Sequence, residues 1–197
     1  MSRRLILAFA IVLANSVIAA EPSSDLTLEL RVFNGSEEVT AHTRLTVHRA
    51  GERGDPLRQS TSADGRVLLQ VPQGIYDVQA IHERDGRVLN IRWANRLVVM
   101  PYPDEGGQHL EVINFKNGFG ALQIRGKPGT LPNVVLYDVG KRDKPAASPL
   151  TTTSYVLFVV RAAPYDLLIR IDGKPSWYPS LDVPLDRTRL WVMPDAQ

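Results

Sequence analysis

Residues 74–81 read GIYDVQAI and residues 163–170 read APYDLLIR, so a Tyr-Asp step inside an apolar alternation occurs twice, 89 positions apart. Sliding residues 44–80 onto 133–169 without gaps also matches Gly51 with Gly140, Arg53 with Arg142, Pro56 with Pro145, Val67 with Val156, Leu68 with Leu157 and Val71 with Val160. Upstream, LELR at 28–31 answers LQIR at 122–125; downstream, after short slips, Trp93 meets Trp177. An ordered set of this kind means two copies of one supersecondary unit, and each copy must bury its own apolar faces or its neighbour's. The repeat predicts a module at residues 24–115 and a second at 118–195, hinged near Asn117-Gly118.

Each copy reads as β. In RVLLQV, at 66–71, Val67, Leu69 and Val71 share one face while Arg66, Leu68 and Gln70 share the other, the period of a half-buried strand. Turn signals recur at Asn34-Gly35, Asp64-Gly65, Gln73-Gly74, Asp85-Gly86, Asn117-Gly118 and Asp172-Gly173. No stretch after residue 24 sustains a helical period with caps. Short alternating strands in modules of this size predict an all-β chain of two tandem antiparallel β-sandwiches. The final strands register best when LVV at 97–99 matches LDV at 181–183 and LEV at 110–112 matches LWV at 190–192. The repeated tyrosines are expected to be buried at a corner, with the hydroxyl on a backbone partner. The aspartates beside them are expected to face solvent.

In the first copy, STSADGRVLLQVPQGIYDVQA resembles the carboxypeptidase regulatory-like, or prealbumin-like (transthyretin-like), β-sandwich domains, whose pattern is Thr-x-x-Asp-Gly, a strand, then Pro-x-Gly-x-Tyr. Thr61, Asp64, Gly65, Pro72, Gly74 and Tyr76 stand at its positions. The second copy is eroded, with Thr153-Ser154 at the Asp-Gly turn and Ala163-Pro164 at the Gly-x step. The resemblance implies an exported accessory, adhesive, stalk or ligand-binding module of immunoglobulin-like or prealbumin-like architecture. It does not imply the hydroxyisourate hydrolase of the same fold, whose Tyr-Arg-Gly-Ser tail is replaced here by WVMPDAQ.

Residues 1–20, MSRRLILAFAIVLANSVIAA, combine Arg3 and Arg4, an apolar run and small residues at Ala19 and Ala20. That is a cleavable signal peptide, and spanning a bilayer takes about 20 apolar residues. The expectation is a periplasmic or secreted protein without a membrane span after cleavage. Of 23 basic and 21 acidic residues the signal removes two arginines, leaving 21 of each. A balance of zero gives no ground for nucleic-acid binding. The chain has no cysteine, which removes thiolate catalysis, thiolate metal sites and disulfides from consideration.

No constellation for catalysis emerges, so the expectation is a non-enzymatic protein without cofactor or metal. His42, His48, His82 and His109 lack metal-ligand spacing and are expected at the surface. A hydrolase would have to be assembled from loop residues such as Asp104, Glu105 and His109. The aligned Trp93 and Trp177 are expected in the cores, while an exposed Trp177 and Tyr178 would offer a carbohydrate-binding surface by stacking.

The two copies differ most on one face. Where the first copy has Arg66, Leu68, Gln70 and Gln79, the second has Tyr155, Leu157, Val159 and Leu168. Strands that are apolar on both faces are covered on both. Tyr155, Leu157, Val159 and Leu168 are therefore the leading interaction residues, open to the first module, a homodimer or a foreign protein partner.

Overall fold

The computed structural model describes residues 25–61, 65–101, 108–126, 133–171 and 173–193. The signal peptide expected at 1–20, the Asp104-Glu105 pair, and Asp64 and Asp172 of two turns lie outside the described residues. The fold is all-β. A single 3-10 turn, Thr40–His42, interrupts fifteen strands among the described residues, none of whose helices is long and apolar enough to cross a membrane.

In the first half, strands β1 (Leu26–Asn34), β2 (Glu37–Glu38), β5 (Val67–Val71) and β8 (Gln108–Asn114) form one sheet. Its partner contains β3 (Thr43–Arg49), β4 (Arg58–Thr61), β6 (Gly74–Arg84) and β7 (Arg87–Val99), in the order β4-β3-β6-β7. The alternation seen in the sequence aims Leu28, Leu30, Val67, Val71, Leu45, Val47, Tyr76 and Val78 into a shared core between the two sheets.

The second half repeats the plan. One sheet runs β11 (Leu150–Thr151), β12 (Val156–Arg161), β9 (Phe119–Arg125) and β15 (Thr188–Val192); the other runs β10 (Asn133–Asp138), β13 (Pro164–Ile171) and β14 (Lys174–Asp182). Leu122, Ile124, Leu136, Phe158, Leu167 and Ile169 fill the core between them. Residues 115–118 alone connect β8 to β9.

Each half departs from antiparallel pairing once, in the same place. Strand β8 runs parallel to β1 with Leu110 opposite Glu29, and β15 runs parallel to β9 with Leu190 opposite Gln123. Matching LEV with LWV and LELR with LQIR therefore superposes the two ladders residue for residue. The match of LVV with LDV holds as well, since Leu97 lies opposite Tyr76 and Leu181 opposite Tyr165.

The repeated Tyr-Asp step is a corner and a clasp. The Tyr76 hydroxyl donates to the Pro72 carbonyl, and the Tyr165 hydroxyl donates to the Arg161 carbonyl at 2.9 Å. Contrary to expectation, the aspartates are buried. A register shift follows each tyrosine, between Tyr76 and Val78 and between Tyr165 and Leu167. The bulge places Arg96 at φ 58° and Ser180 at φ 53°. Asp77 accepts the Arg96 amide at 2.8 Å and the Gly51 amide at 3.0 Å. Asp166 likewise accepts the Ser180 amide at 3.1 Å and the Gly140 amide at 3.4 Å. Simple alternation misplaced these carboxylates because a bulge leaves backbone amides unpaired that a nearby acceptor must satisfy. The Gly51 and Arg96 amides hold Asp77 below the ordinary carboxylate range, and the Ser180 amide leads the same effect at Asp166.

Candidate functional site

The inner sheets of the two halves lie face to face. From the first, β1 and β8 present Phe33, Leu110 and Val112; from the second, β9 and β12 present Ala121 and Val159, with Leu157 and the residue before β12, Tyr155. The first half thus occupies the apolar face that the repeat had marked. Leu157 is 1% exposed, whereas its aligned counterpart Leu68 is 48% exposed. One alignment column thus carries an interface residue in one copy and a solvent-facing residue in the other. An intermolecular partner or homodimer through Leu157 would have to displace the first half.

Leu168 does not belong to that face. It lies on β13 in the outer sheet, opposite Trp177 on β14 and Val135 on β10. It is buried nonetheless. Sequence comparison grouped it with Tyr155 because both replace polar residues, but the two strands belong to opposite layers.

A polar network threads the contact. The Tyr155 hydroxyl donates to the Glu29 carboxylate at 2.6 Å and accepts from the Arg31 guanidinium at 3.1 Å. Arg31 also grips Glu38 with two bonds of 2.8 Å. Thr40 donates to Glu38 at 3.1 Å and accepts the Val32 amide at 2.8 Å. Burial, reinforced by Glu29, pushes the Tyr155 phenol well above its ordinary range. Burial opposes the Arg31 charge, but Glu38 and Tyr155 outweigh it and hold the guanidinium protonated. Buried charges need such pairing, because removing one partner leaves the other charge uncompensated away from water. Along the rim, Thr188 accepts the Val112 amide at 2.8 Å, Arg92 bonds Asp186 at 2.7 Å, and Arg187 donates to the Asn95 carbonyl at 3.0 Å. Two clefts open at this seam. One, of about 640 Å³, is lined in part by Phe33, Glu38, Leu157, Val159 and Arg161; the other, of about 360 Å³, includes Trp93, Asn95 and Arg187.

Trp93 and Trp177 are not core residues. On the outer sheets, Arg53 lies 4.3 Å over the Trp93 ring and Arg142 lies 4.0 Å over the Trp177 ring. His48 tilts against Trp93 at 5.5 Å, and Tyr137 tilts against Trp177 at the same separation. All three members of each stack are aligned in the repeat. They are retained by cation–π packing over a sheet face, which the duplication alone could not distinguish from core burial. Tyr178 points the opposite way, packing on the second core with its ring edge-on to Trp191 at 4.9 Å. The two adjacent rings form no shared stacking platform, because successive strand residues face opposite sides.

The surface expectation fails for three histidines. His48, His82 and His109 are buried. His82 stacks on Phe115 at 5.8 Å, and His109 lies 3.1 Å from Glu111. His82 is held below its ordinary pKa by burial first, then by His42. No group of three or more His, Asp or Glu that would hold a metal occurs among the described residues.

No protein-family model matches this sequence. No curated protein matches it either. Solved structures to which the chain shows a weak likeness include the Bacillus anthracis TIE protein, at 15% identity and a TM-score of 0.36, covering 86% of this chain and 34% of that one. The tip fimbrial protein Mfa3 from Porphyromonas gingivalis shares 10% identity at a TM-score of 0.31, covering 87% and 96%. A Streptococcal ancillary pilin shares 10% identity at 0.33, covering 85% and 63%. The chain spans only 34% and 26% of the first two structures in this group. Likenesses of this size assign no function.

Proposed function

We propose that this protein is an exported, non-enzymatic accessory module that mediates protein–protein interaction, built as two tandem domains at residues 24–115 and 118–195. The reading rests on one observation: the face formed by Tyr155, Leu157 and Val159 joins the two sandwiches through apolar packing and a buried Glu29–Tyr155–Arg31–Glu38 network. A duplicated sandwich docked in this way presents two outer sheets at a set spacing, which suits a scaffold or adhesive element. The leader at residues 1–20 supports a periplasmic or secreted location, and the pattern from Thr61 to Tyr76 supports a prealbumin-like or carboxypeptidase regulatory-like ancestry.

Export is tested by expressing the full chain with its own leader and sequencing the N-terminus of the mature product. Interaction is tested by photo-cross-linking the protein in intact cells of the organism that makes it. A discrete adduct with one other exported protein supports the reading. Recovery of uncross-linked protein alone, from probes placed on both outer sheets, overturns it.

A further inference from the structure

In each half the strand that enters the sandwich and the strand that leaves it are parallel neighbours. Strand β8 pairs with β1 from Thr27 opposite Gln108 to Phe33 opposite Asn114, and β15 pairs with β9 from Thr188 opposite Ala121 to Val192 opposite Arg125. Strands β8 and β15 have no other strand partner among the described residues, whereas β1 and β9 are also held by β5 and β12. The chain thus enters a half at one end of the ladder and leaves it at the other. Tension drawn through it slides the two strands past each other along their length. In that direction the evenly spaced bonds of a parallel ladder share the load and must fail together; pulled sideways, they fail one at a time.

The point where tension leaves the first half is reinforced. The Asn114 carboxamide accepts the Gly35 amide at 2.9 Å and donates to the Gly35 carbonyl at 2.7 Å, and it also accepts the Lys116 amide at 2.9 Å. The Phe115 amide adds a bond to the Phe33 carbonyl at 2.8 Å. Asn114 is buried, where its bonds are stronger than they would be in water. In the second half, bonds from the Asp186 amide to the Phe119 carbonyl and from the Ala121 amide to the Arg187 carbonyl extend the ladder where tension enters.

The two ladders run in opposite directions. Asn114 and Phe119 line one cleft beside the connector. The Val112 amide reaches Thr188, opposite Ala121, and Glu29, opposite Leu110, is reached by Tyr155, next to the Val156–Ile124 pair. Residues 115–118 therefore close one end of the docked halves, and Leu26 and Val192 lie toward the other. Tension between those two residues parts the seam from its open end, where the Glu29–Tyr155 bond stands.

We infer that the chain is a two-stage mechanical element: under tension its docked halves open first about the connector, and each half then resists unfolding through its parallel terminal ladder. Opening yields about 50 Å, two strand lengths at ~3.3 Å per residue. Unfolding then yields about 300 Å from Leu26–Asn114 and about 250 Å from Phe119–Val192, at ~3.3–3.6 Å per residue. This goes beyond the interaction role proposed above, and either can fail alone, since a partner can be cross-linked whether or not the ladders hold.

The test stretches single molecules of the mature full-length protein in optical tweezers, with handles at its two termini. The expected trace is a short step at low force, followed at higher force by two long steps whose lengths identify the halves. Tyr155→Phe should lower the force of the short step and leave both long ones, while Asn114→Ala should lower only the longer of the two. The chain has no cysteine, so a second molecule can carry one handle at the N-terminus and the other at Gln108→Cys. Those points lie at the same end of the first ladder, which is then peeled sideways and should give way at about half the force or less. Equal force in the two geometries overturns the clamp, and long steps with no short step before them overturn the opening. If Asn114→Ala does not fold, the two pulling geometries decide between clamp and no clamp by themselves.

Discussion

The Tyr155 hydroxyl lies 2.6 Å from the Glu29 carboxylate, joining residues 126 positions apart across the contact between the two sandwiches. Glu29 is fully buried there, so the bond sits where water cannot substitute for it. Tyr155→Phe keeps the ring and removes this hydrogen bond to Glu29. The expected loss is about 1–3 kcal/mol, the cost of leaving a buried acceptor short of a partner. Urea unfolding of the variant and wild type checks it. Leu157→Ala, which empties part of the apolar contact, should cost about 2–5 kcal/mol.

The clasp around the first bulge makes a second prediction. Asp77→Ala leaves the Gly51 and Arg96 amides without their acceptor, for a cost of about 1–3 kcal/mol. Arg96→Gly acts in the opposite sense. It relieves a left-handed residue at φ 58°, worth about 1–2 kcal/mol, against a chain-entropy cost of about 0.5–1 kcal/mol. The variant should be neutral or more stable, whereas Arg96→Val should be less stable. Thermal midpoints of the three proteins decide the matter.

Gly120 is a third, sharper case. A Cβ built there would lie 1.8 Å from the Pro184 carbonyl oxygen. That carbonyl belongs to the segment between β14 and β15, where the Asp186 amide donates to Phe119 and the Ala121 amide donates to Arg187. Gly120→Ala must push the segment away. The expected cost is about 1–3 kcal/mol, accompanied in hydrogen exchange by faster exchange at Asp186 and Ala121. An alanine variant with wild-type stability would contradict the close approach.

Acidification should destabilise the protein in two stages. Burial holds His82 below 6.5 in the folded state, so the unfolded chain binds the proton more readily and stability falls as the pH drops below that value. The carboxylates act later. Asp77 and Asp166 are held below 3.8 when folded, so their contribution is present above that value and is lost as the pH falls through the lowered folded values. Urea midpoints measured from pH 8 to pH 3 should show both legs. In His82→Phe, which retains an aromatic ring against Phe115, the first leg should shrink and the second remain.

The sequence was most informative where local chemistry decides. Alternation in RVLLQV marks the buried Val67, Leu69 and Val71 of β5, and Asp85-Gly86 makes the tight turn between β6 and β7. The duplication added what periodicity could not. Equivalent parallel strands β8 and β15 follow from matching LEV to LWV, because a fold preserved through duplication keeps its register.

Sequence alone determined the β period, the register that relates the two repeats and the unusual apolarity of Tyr155, Leu157 and Val159, since strand period and duplication are written in neighbouring residues. Tertiary structure decided what those residues meet. Whether an apolar face is covered by its own chain depends on which sheets stack, and Leu68 and Leu157 share an alignment column yet differ in surroundings. The burial of Asp77 depends on amides released by a bulge, and the outward packing of Trp93 and Trp177 on arginines from another loop. Each of these pairings is long-range, set by the layering of sheets, and the local period carries no record of it.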